Sequence, residues 1–449
     1  MSDFARARRF ERPRDLAGSA AGGSGWRAAG LVLALVIFAG SELHPQATGE
    51  ARMIAVTGEG ANYWPRWRGP SGQGTALPGK YTNTWSPTSH IAWRVSVPGT
   101  GNSSPIVWAD RLYLTTAQNG GAKLSLLAFN RADGKLLWES VIPQRGTEYV
   151  HPKNGYASAT PVTDGRMIYA SFGRHGLFGF DMNGKIVWHR AFGPIDNYHG
   201  PAGSPVLYKD RVFLYQDHEG SSAQKAFVAA FDARTGNTVW ETPRTQTVGW
   251  GTPVVINTGT RDELVVNSQQ HVTAYDPDNG KPLWMVRGMT FEVIPTPVVG
   301  DGLVFASSGR AGPTLAIRPG GSGDVTATHV AWSTPRGSPF VPSGIVHDGL
   351  LYLVNDMQSI LTVYETKTGT LVYQGRMGVA QREGFSASPV IVNNELFFTN
   401  DDGETFVVKA GRQFALLHTN SLGERTLASP ALVDGTWYWR SDRHLLAIQ

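Results

Sequence analysis

Cysteine is missing from all 449 residues, which excludes disulfides, thiolate metal sites and a lipidated N-terminal cysteine. Packing alone must hold this chain together. Charge is sparse as well: Asp, Glu, Lys and Arg make up 17% of the residues, and the formal net charge is +4. Part of that surplus belongs to residues 1–47, which carry six Arg against two Asp and two Glu. No Lys/Arg run follows, so the footprint of a nucleic-acid binder is absent. Long apolar segments are lacking too. The uninterrupted run from Ala28 to Gly40 has thirteen residues, short of the roughly 20 that a membrane helix needs but suited to the core of a signal sequence.

What is there begins with an address. Arg6, Arg8, Arg9, Arg12 and Arg14 form a basic head before the apolar run, so residues 1–50 read as a signal sequence or N-terminal anchor. The body is expected on the periplasmic or extracellular side, touching a membrane only through that segment if it stays uncleaved. Arg8-Arg9-Phe10 resembles a twin-arginine signal but lies well upstream of the apolar run, and positive-inside charge is the simpler reading.

Glycine (53) and proline (27) are plentiful, which points to many short strands and tight turns with little helix. A Ser/Thr-Pro pair opens an apolar stretch at Pro105, Pro161, Pro205, Pro253, Pro297, Pro389 and Pro430, and Ser343-Gly344 fills the missing place. The intervals run from 41 to 56 residues, at or near the length of a four-stranded propeller blade. Within a unit, TPVTDGRMIYASF and LFGFDMNGKIVW read as strand, Asp-Gly turn, strand, loop, strand, Asn-Gly turn, strand. Eight openings predict an all-β, eight-bladed propeller over residues 90–449, preceded by an N-terminal extension at 51–89.

Most units end in an aromatic residue: Trp138, Trp188, Trp240, Trp284, Trp332 and Tyr373. A flat side chain at one place on each outer strand can wedge between blades, burying roughly 150–250 Å² while an indole N–H finds a partner. One such residue per blade reads as structural glue rather than a cofactor box. The last unit, from Ser429, stops at HLLAIQ one strand short, and HIAWRVSVPG (His90 to Gly99) matches the missing strand, Trp93 included. The strand at about 90–98 is therefore expected to pair into the last blade and close the ring, removing the exposed edges.

The repeated AxDxxTGKxxW pattern with its Ser/Thr-Pro starts resembles the PQQ-like (pyrroloquinoline-quinone) repeat family, which includes quinoprotein dehydrogenases and the outer-membrane assembly factor of the BamB type. The resemblance covers residues 90–449. NYWPRWRGPSGQG (Asn62 to Gly74) is similar to a segment that precedes such propellers in exported bacterial proteins. For the enzymatic members the resemblance implies PQQ bridged by Ca²⁺, with an Asp taking the substrate proton. Their calcium ligands and catalytic Asp match no segment here, and the adjacent cysteine pair of many alcohol-oxidising members is excluded.

Blade-to-blade connections and the loops between second and third strands share one face of a propeller, and here they are long, polar and aromatic. The opposite face has short turns such as TDG and PDNGK. The loop-rich mouth is therefore the candidate site, with His151, Lys153, Tyr156, His175, His199, Asp217, His218, Trp250, Arg310, Arg382, Glu383 and Asp401 as candidate ligand-binding residues. Trp250 and Phe385 offer stacking surface, and Lys153, Arg310 and Arg382 could meet an anion. Histidines near carboxylates can bind metal or move protons, but no H-x-x-x-H pair is present, loop histidines usually bond a neighbouring turn, and no metal site is assigned.

Two functions follow. The favoured one is a binding or scaffold protein outside the cytoplasm, taking an unidentified protein or small molecule at the mouth, with no nucleic acid and no assigned cofactor. The alternative is a PQQ-dependent dehydrogenase of alcohols or sugars. A hydrolase or lyase acting on polysaccharide ranks last, with only the loop histidines in its favour and no Ser-His-Asp set or convincingly paired carboxylates.

Overall fold

The computed structural model describes residues 50–449 apart from 145, 220–225, 246–247, 311, 336–337 and 379–383. Residues 1–49, which hold the expected signal or anchor, lie outside the described residues, as do Arg382 and Glu383. Eight antiparallel sheets, each built on four strands, make the eight blades. Blades 1 to 7 span residues 106–141, 162–190, 206–244, 254–289, 298–333, 345–376 and 390–421, and blade 8 holds 431–448. Among the described residues α-helix is confined to one turn, Thr326–His329.

The ring closes as expected. Ile91–Ser96 pairs antiparallel with His444–Ile448, Ile91 opposite Ile448 and Ser96 opposite His444. Burial alternates along the outer strand Ile91–Ser96, half-buried then exposed. The middle strands of a blade are covered on both faces and are buried almost end to end, as in Arg111–Gln118 and Lys123–Asn130.

The outer-strand aromatics do lie between blades. Trp188 donates its indole N–H to Ala233 O at 2.9 Å, Trp240 to Pro277 O at 3.0 Å, Trp332 to Thr366 O at 2.7 Å and Trp93 to Arg131 O at 3.2 Å, each on the next blade's last turn. Each ring rests on a turn glycine: a Cβ on Gly236 would come within 2.4 Å of Trp188. Trp138 packs the same way on Gly184, with its N–H unpartnered among the described residues. Tyr373 meets Phe414 of the next blade at 6.2 Å. Trp284 differs. Its N–H goes to the buried Glu263 carboxylate of its own blade at 2.7 Å, and blade 4 carries an added edge strand, Gly323–Asp324, paired alongside Trp284.

The Ser/Thr of each blade opening forms a closed belt around the channel. Ser104 N donates to Thr160 Oγ1, Thr160 N to Ser204 Oγ, Ser204 N to Thr252 Oγ1 and Thr252 N to Thr296 Oγ1, at 2.8–3.2 Å. Thr296 N then reaches Ser343 Oγ, Ser343 N reaches Ser388 Oγ, and Ser388 N reaches Ser429 Oγ, at 2.9–3.0 Å. Ser429 N donates back to Ser104 Oγ at 3.0 Å. Innermost strands are too far apart to pair with one another, so side-chain hydroxyls satisfy the buried amides instead.

The extension covers the short-turn face. Arg52–Met53 adds to the innermost strand of blade 4, Trp64 bridges Val107 of blade 1, and Thr75 bridges Ile391 of blade 7. Thr163 of blade 2 donates to Pro65 O, and Val299 of blade 5 donates to Gln73 Oε1. Arg68, 1% exposed, holds Gln73 O and Gly344 O, the latter one residue beyond the belt. Burial lowers its pKa to about 9. Residues 52–75 thus contact blades 1, 2, 4, 5, 6 and 7 at one end of the channel, and the loop-rich mouth is the other end.

Candidate functional site

A cavity of about 270 Å³ sits in the mouth. Its floor is made by the residue two positions before each belt hydroxyl, one from every blade. Ala202, Trp250, Ile294 and Val341 form a contiguous apolar half from blades 3 to 6; Ser386, Leu427, Asn102 and Ser158 form a mostly polar half from blades 7, 8, 1 and 2. The cavity is therefore coaxial with the ring. Its wall is built from His151, Lys153 and Asn154 in the connection before blade 2, His199 before blade 3, Arg310 in a blade 5 loop, and Phe340 before blade 6.

These loops brace one another. His151 N donates to His199 O at 3.2 Å, and Asn154 Nδ2 holds His199 O at 2.8 Å and Pro201 O at 3.1 Å. Trp250 donates its indole N–H to Gly200 O at 2.9 Å and Asn197 Oδ1 at 3.1 Å, and its ring packs against Tyr198 and His199. Glu292 and Arg310 both have left-handed backbones, φ 55° and 49°, strain that is tolerated where a side chain must be aimed. Gly309 is obligatory there, since a Cβ would lie 1.9 Å from Glu292 O.

The charged wall is layered. The two charged side chains lining the cavity, Lys153 and Arg310, are cations, and no carboxylate among the described residues lines it. The acids stand behind: Lys153 Nζ meets Asp401 Oδ2 at 3.0 Å, and Arg310 Nε bonds Glu292 Oε2. Burial raises the Asp401 carboxyl despite Lys153, and raises Asp356, whose Oδ1 accepts from Phe340 N at 2.6 Å, to about 6. The Arg310 guanidinium also lies 5.6 Å from the centre of the Phe340 ring.

The histidine tautomers can be read from their partners. Lys153 N donates to His151 Nδ1 at 3.2 Å, so the His151 proton sits on Nε2. His199 Nε2 is 3.3 Å from Glu292 Oε1, which can only accept, so Nε2 carries the proton and Nδ1 is an acceptor. That Nδ1 is buried with no hydrogen-bond partner among the described residues. Burial keeps His199 below the ordinary imidazole range, outweighing the opposite pull of Glu292.

Of the residues expected at the mouth, His151, Lys153, His199, Trp250 and Arg310 meet at the cavity, with Asp401 behind Lys153. Others belong elsewhere. Asp217 is bound by Arg244 at 2.7 and 3.2 Å, both side chains fully buried, with Tyr275 and Ser268 completing the guanidinium's bonds. His218 Nδ1 accepts from Asp196 N at 3.1 Å. His175 is buried in the blade 2 loop away from the cavity lining, and Tyr156 packs into the core between blades 1 and 2. Phe385, expected as stacking surface, is a core residue against Phe406. Glu292, Phe340, Asn102 and Asn154 escape the sequence reading, although counting two residues back from each blade opening picks out the whole floor.

The fold and the axial cavity define a PQQ-like β-propeller. The family profile described as outer membrane protein assembly factor BamB matches residues 75–284 and 126–374, and the chain belongs to this family. A curated relative, tetrathionate hydrolase of Acidithiobacillus ferrooxidans, is 24% identical over 375 residues, covering 78% of this chain. The match spans only 65% of that relative's length. Among solved structures, BamB from Moraxella catarrhalis is similar with a TM-score of 0.56 at 14% identity, over 79% of this chain and 96% of that one. A europium-containing methanol dehydrogenase gives 0.61 at 12% identity, over 84% and 89%. These structural likenesses establish the fold. Proteins named as a hydrolase, a dehydrogenase and an assembly factor stand among these matches.

Calcium takes six to eight oxygens, carboxylates prominent among them. Here Asp401 and Glu292 are each engaged by cations, and the described residues contain no group of three His, Asp or Glu able to hold a metal. The residues described at the mouth do not fit a Ca²⁺-bridged quinone.

Proposed function

We propose that this chain is an extracytoplasmic binding protein whose ligand is a small anion seated on the channel axis. The observation that carries this reading is the charge layering of the mouth: cations line the cavity, and their counter-carboxylates stand behind them. An apolar and aromatic hollow with a few convergent polar groups is the common form of a small-molecule site. At about 270 Å³ it suits an occupant of one ring or one short chain. The tetrathionate in the curated relative's name is a small dianion, which supports the same class of ligand. Export rests on the basic head and the apolar run at residues 28–40.

Calorimetric titration of the purified full chain with small carboxylates and sulfur oxyanions, tetrathionate included, tests the reading. Binding of at least one anion is expected, weakened at least tenfold, about 1.4 kcal/mol, by Lys153→Met or Arg310→Met. Absence of heat with every anion at millimolar concentration overturns it.

A further inference from the structure

The rim of the mouth carries more apolar surface than a small anion can use. Tyr149 (65% exposed), Phe291 (67%) and Met357 (67%) stand out to solvent on loops that build or back the cavity wall, and Tyr198 is exposed as well. Tyr149 lies two residues before His151, and Phe291 adjoins Glu292. Tyr198 adjoins His199 and meets the Trp250 ring at 5.3 Å, while Met357 adjoins Asp356, which holds the Phe340 amide. Large apolar side chains left exposed around a pocket mark an interaction site, and none of these four lines the cavity itself. Inside, Ala202, Ile294, Val341 and Phe340 are only part-buried, Lys153 is part-exposed and Arg310 is exposed. An occupant thus meets apolar surface and positive charge within the hollow and apolar surface again outside it.

We infer that the anion is the terminal carboxylate of a polypeptide whose last residue is apolar. The carboxylate faces Lys153 and Arg310, the last side chain lies on the apolar half of the floor, and the preceding residues leave the mouth across the exposed aromatics of the rim. Charge complementarity selects the end of a chain, since an internal apolar segment brings no charge to the two cations. The floor, made by all eight blades, likewise receives an end. Capture of a terminal carboxylate is a recurrent mode of peptide recognition, and tyrosines supply contact area at low entropy cost. This inference rests on the reading of the mouth as an anion site.

Titration calorimetry of the full chain with four probes tests it: an acetylated octapeptide of alanine and tyrosine ending in leucine with a free carboxylate, the same peptide as its terminal amide, N-acetyl-leucine, and tetrathionate. The free-acid octapeptide is expected to bind at least tenfold more tightly than each of the others. Lys153→Met, or Arg310→Met at the more exposed cation, should erase its advantage over the amide. Tyr149→Ser with Phe291→Ser, both at exposed positions, should erase most of its advantage over N-acetyl-leucine. If N-acetyl-leucine or tetrathionate binds as tightly as the free-acid octapeptide, the polypeptide inference is overturned while the anion site stands. Equal binding of acid and amide overturns the anion reading as well, and no binding by any of the four overturns both. Retention on phosphatidylglycerol vesicles that the double rim variant loses, with no binding of the octapeptide, assigns the rim to a membrane surface and overturns the inference.

Discussion

The amide of Ser429 donates to Ser104 Oγ at 3.0 Å across the seam where the last blade meets the first. With this bond the belt has no end, and the seam is built like every other joint. Removing one hydroxyl leaves the amide of the preceding blade buried without an acceptor, at about 1–3 kcal/mol. Ser429→Ala, which orphans Ser388 N, is expected to lower the urea midpoint accordingly, while Ser429→Thr changes little. Ser104→Ala should cost as much as Ser429→Ala. A seam variant without effect would show that the ring is held there by strand pairing alone.

The glycine under each tryptophan makes a second, local test. Gly236 has φ +68°, and a Cβ would meet Trp188 at 2.4 Å; Gly193 has φ +82° with nothing within 4 Å. Both Ala variants carry backbone strain of roughly 1–2 kcal/mol. Only Gly236→Ala adds overpacking, typically about 1–3 kcal/mol more. Equal losses in thermal or urea unfolding would mean that the ring shifts freely and does not lock the joint.

Much of this architecture was legible because the repeat is local: a Ser/Thr-Pro opening, a tight turn and a terminal aromatic recur within each unit. The belt was legible only in part, since Ser104 and Ser429 are 325 residues apart and nothing local names the partner. The site was harder. His151 and His199 meet because their connections enter the same mouth, yet Asp217 and His218 come from an equally polar loop and are used up locally by Arg244 and Asp196. Glu292 stands in an ordinary-looking GMTFEVIPTP, and only the fold brings it to His199 and Arg310. Arg68, buried from the extension against Gly344, has no sequence signal beyond its tryptophan-rich surroundings.

Asp217 and Arg244 should behave as a buried pair rather than as ligand residues. Removing one partner strands the other charge, at about 3–5 kcal/mol. Asp217→Leu with Arg244→Met is expected to cost less than the sum of the two single changes, because neither charge remains. Unfolding free energies of the four proteins measure the coupling. Additive losses would show that the pair contributes packing alone.

Asp356 gives the pH dependence a sign. Burial raises it to about 6 from an ordinary 3.8, so between those values the folded chain keeps a proton that the unfolded chain releases. Its contribution to stability is complete below about pH 4, falls as pH rises, and has been lost above about pH 6. The shift corresponds to about 3 kcal/mol. Asp356→Asn keeps an acceptor for Phe340 N and cannot ionise. The variant is therefore expected to match the wild type near pH 4 and to exceed it by about 2–3 kcal/mol at pH 8, measured by urea unfolding at both values. A gap of the same size at both pH values would instead mean that the ionised carboxylate is fully compensated by Lys153, and that the difference lies in packing.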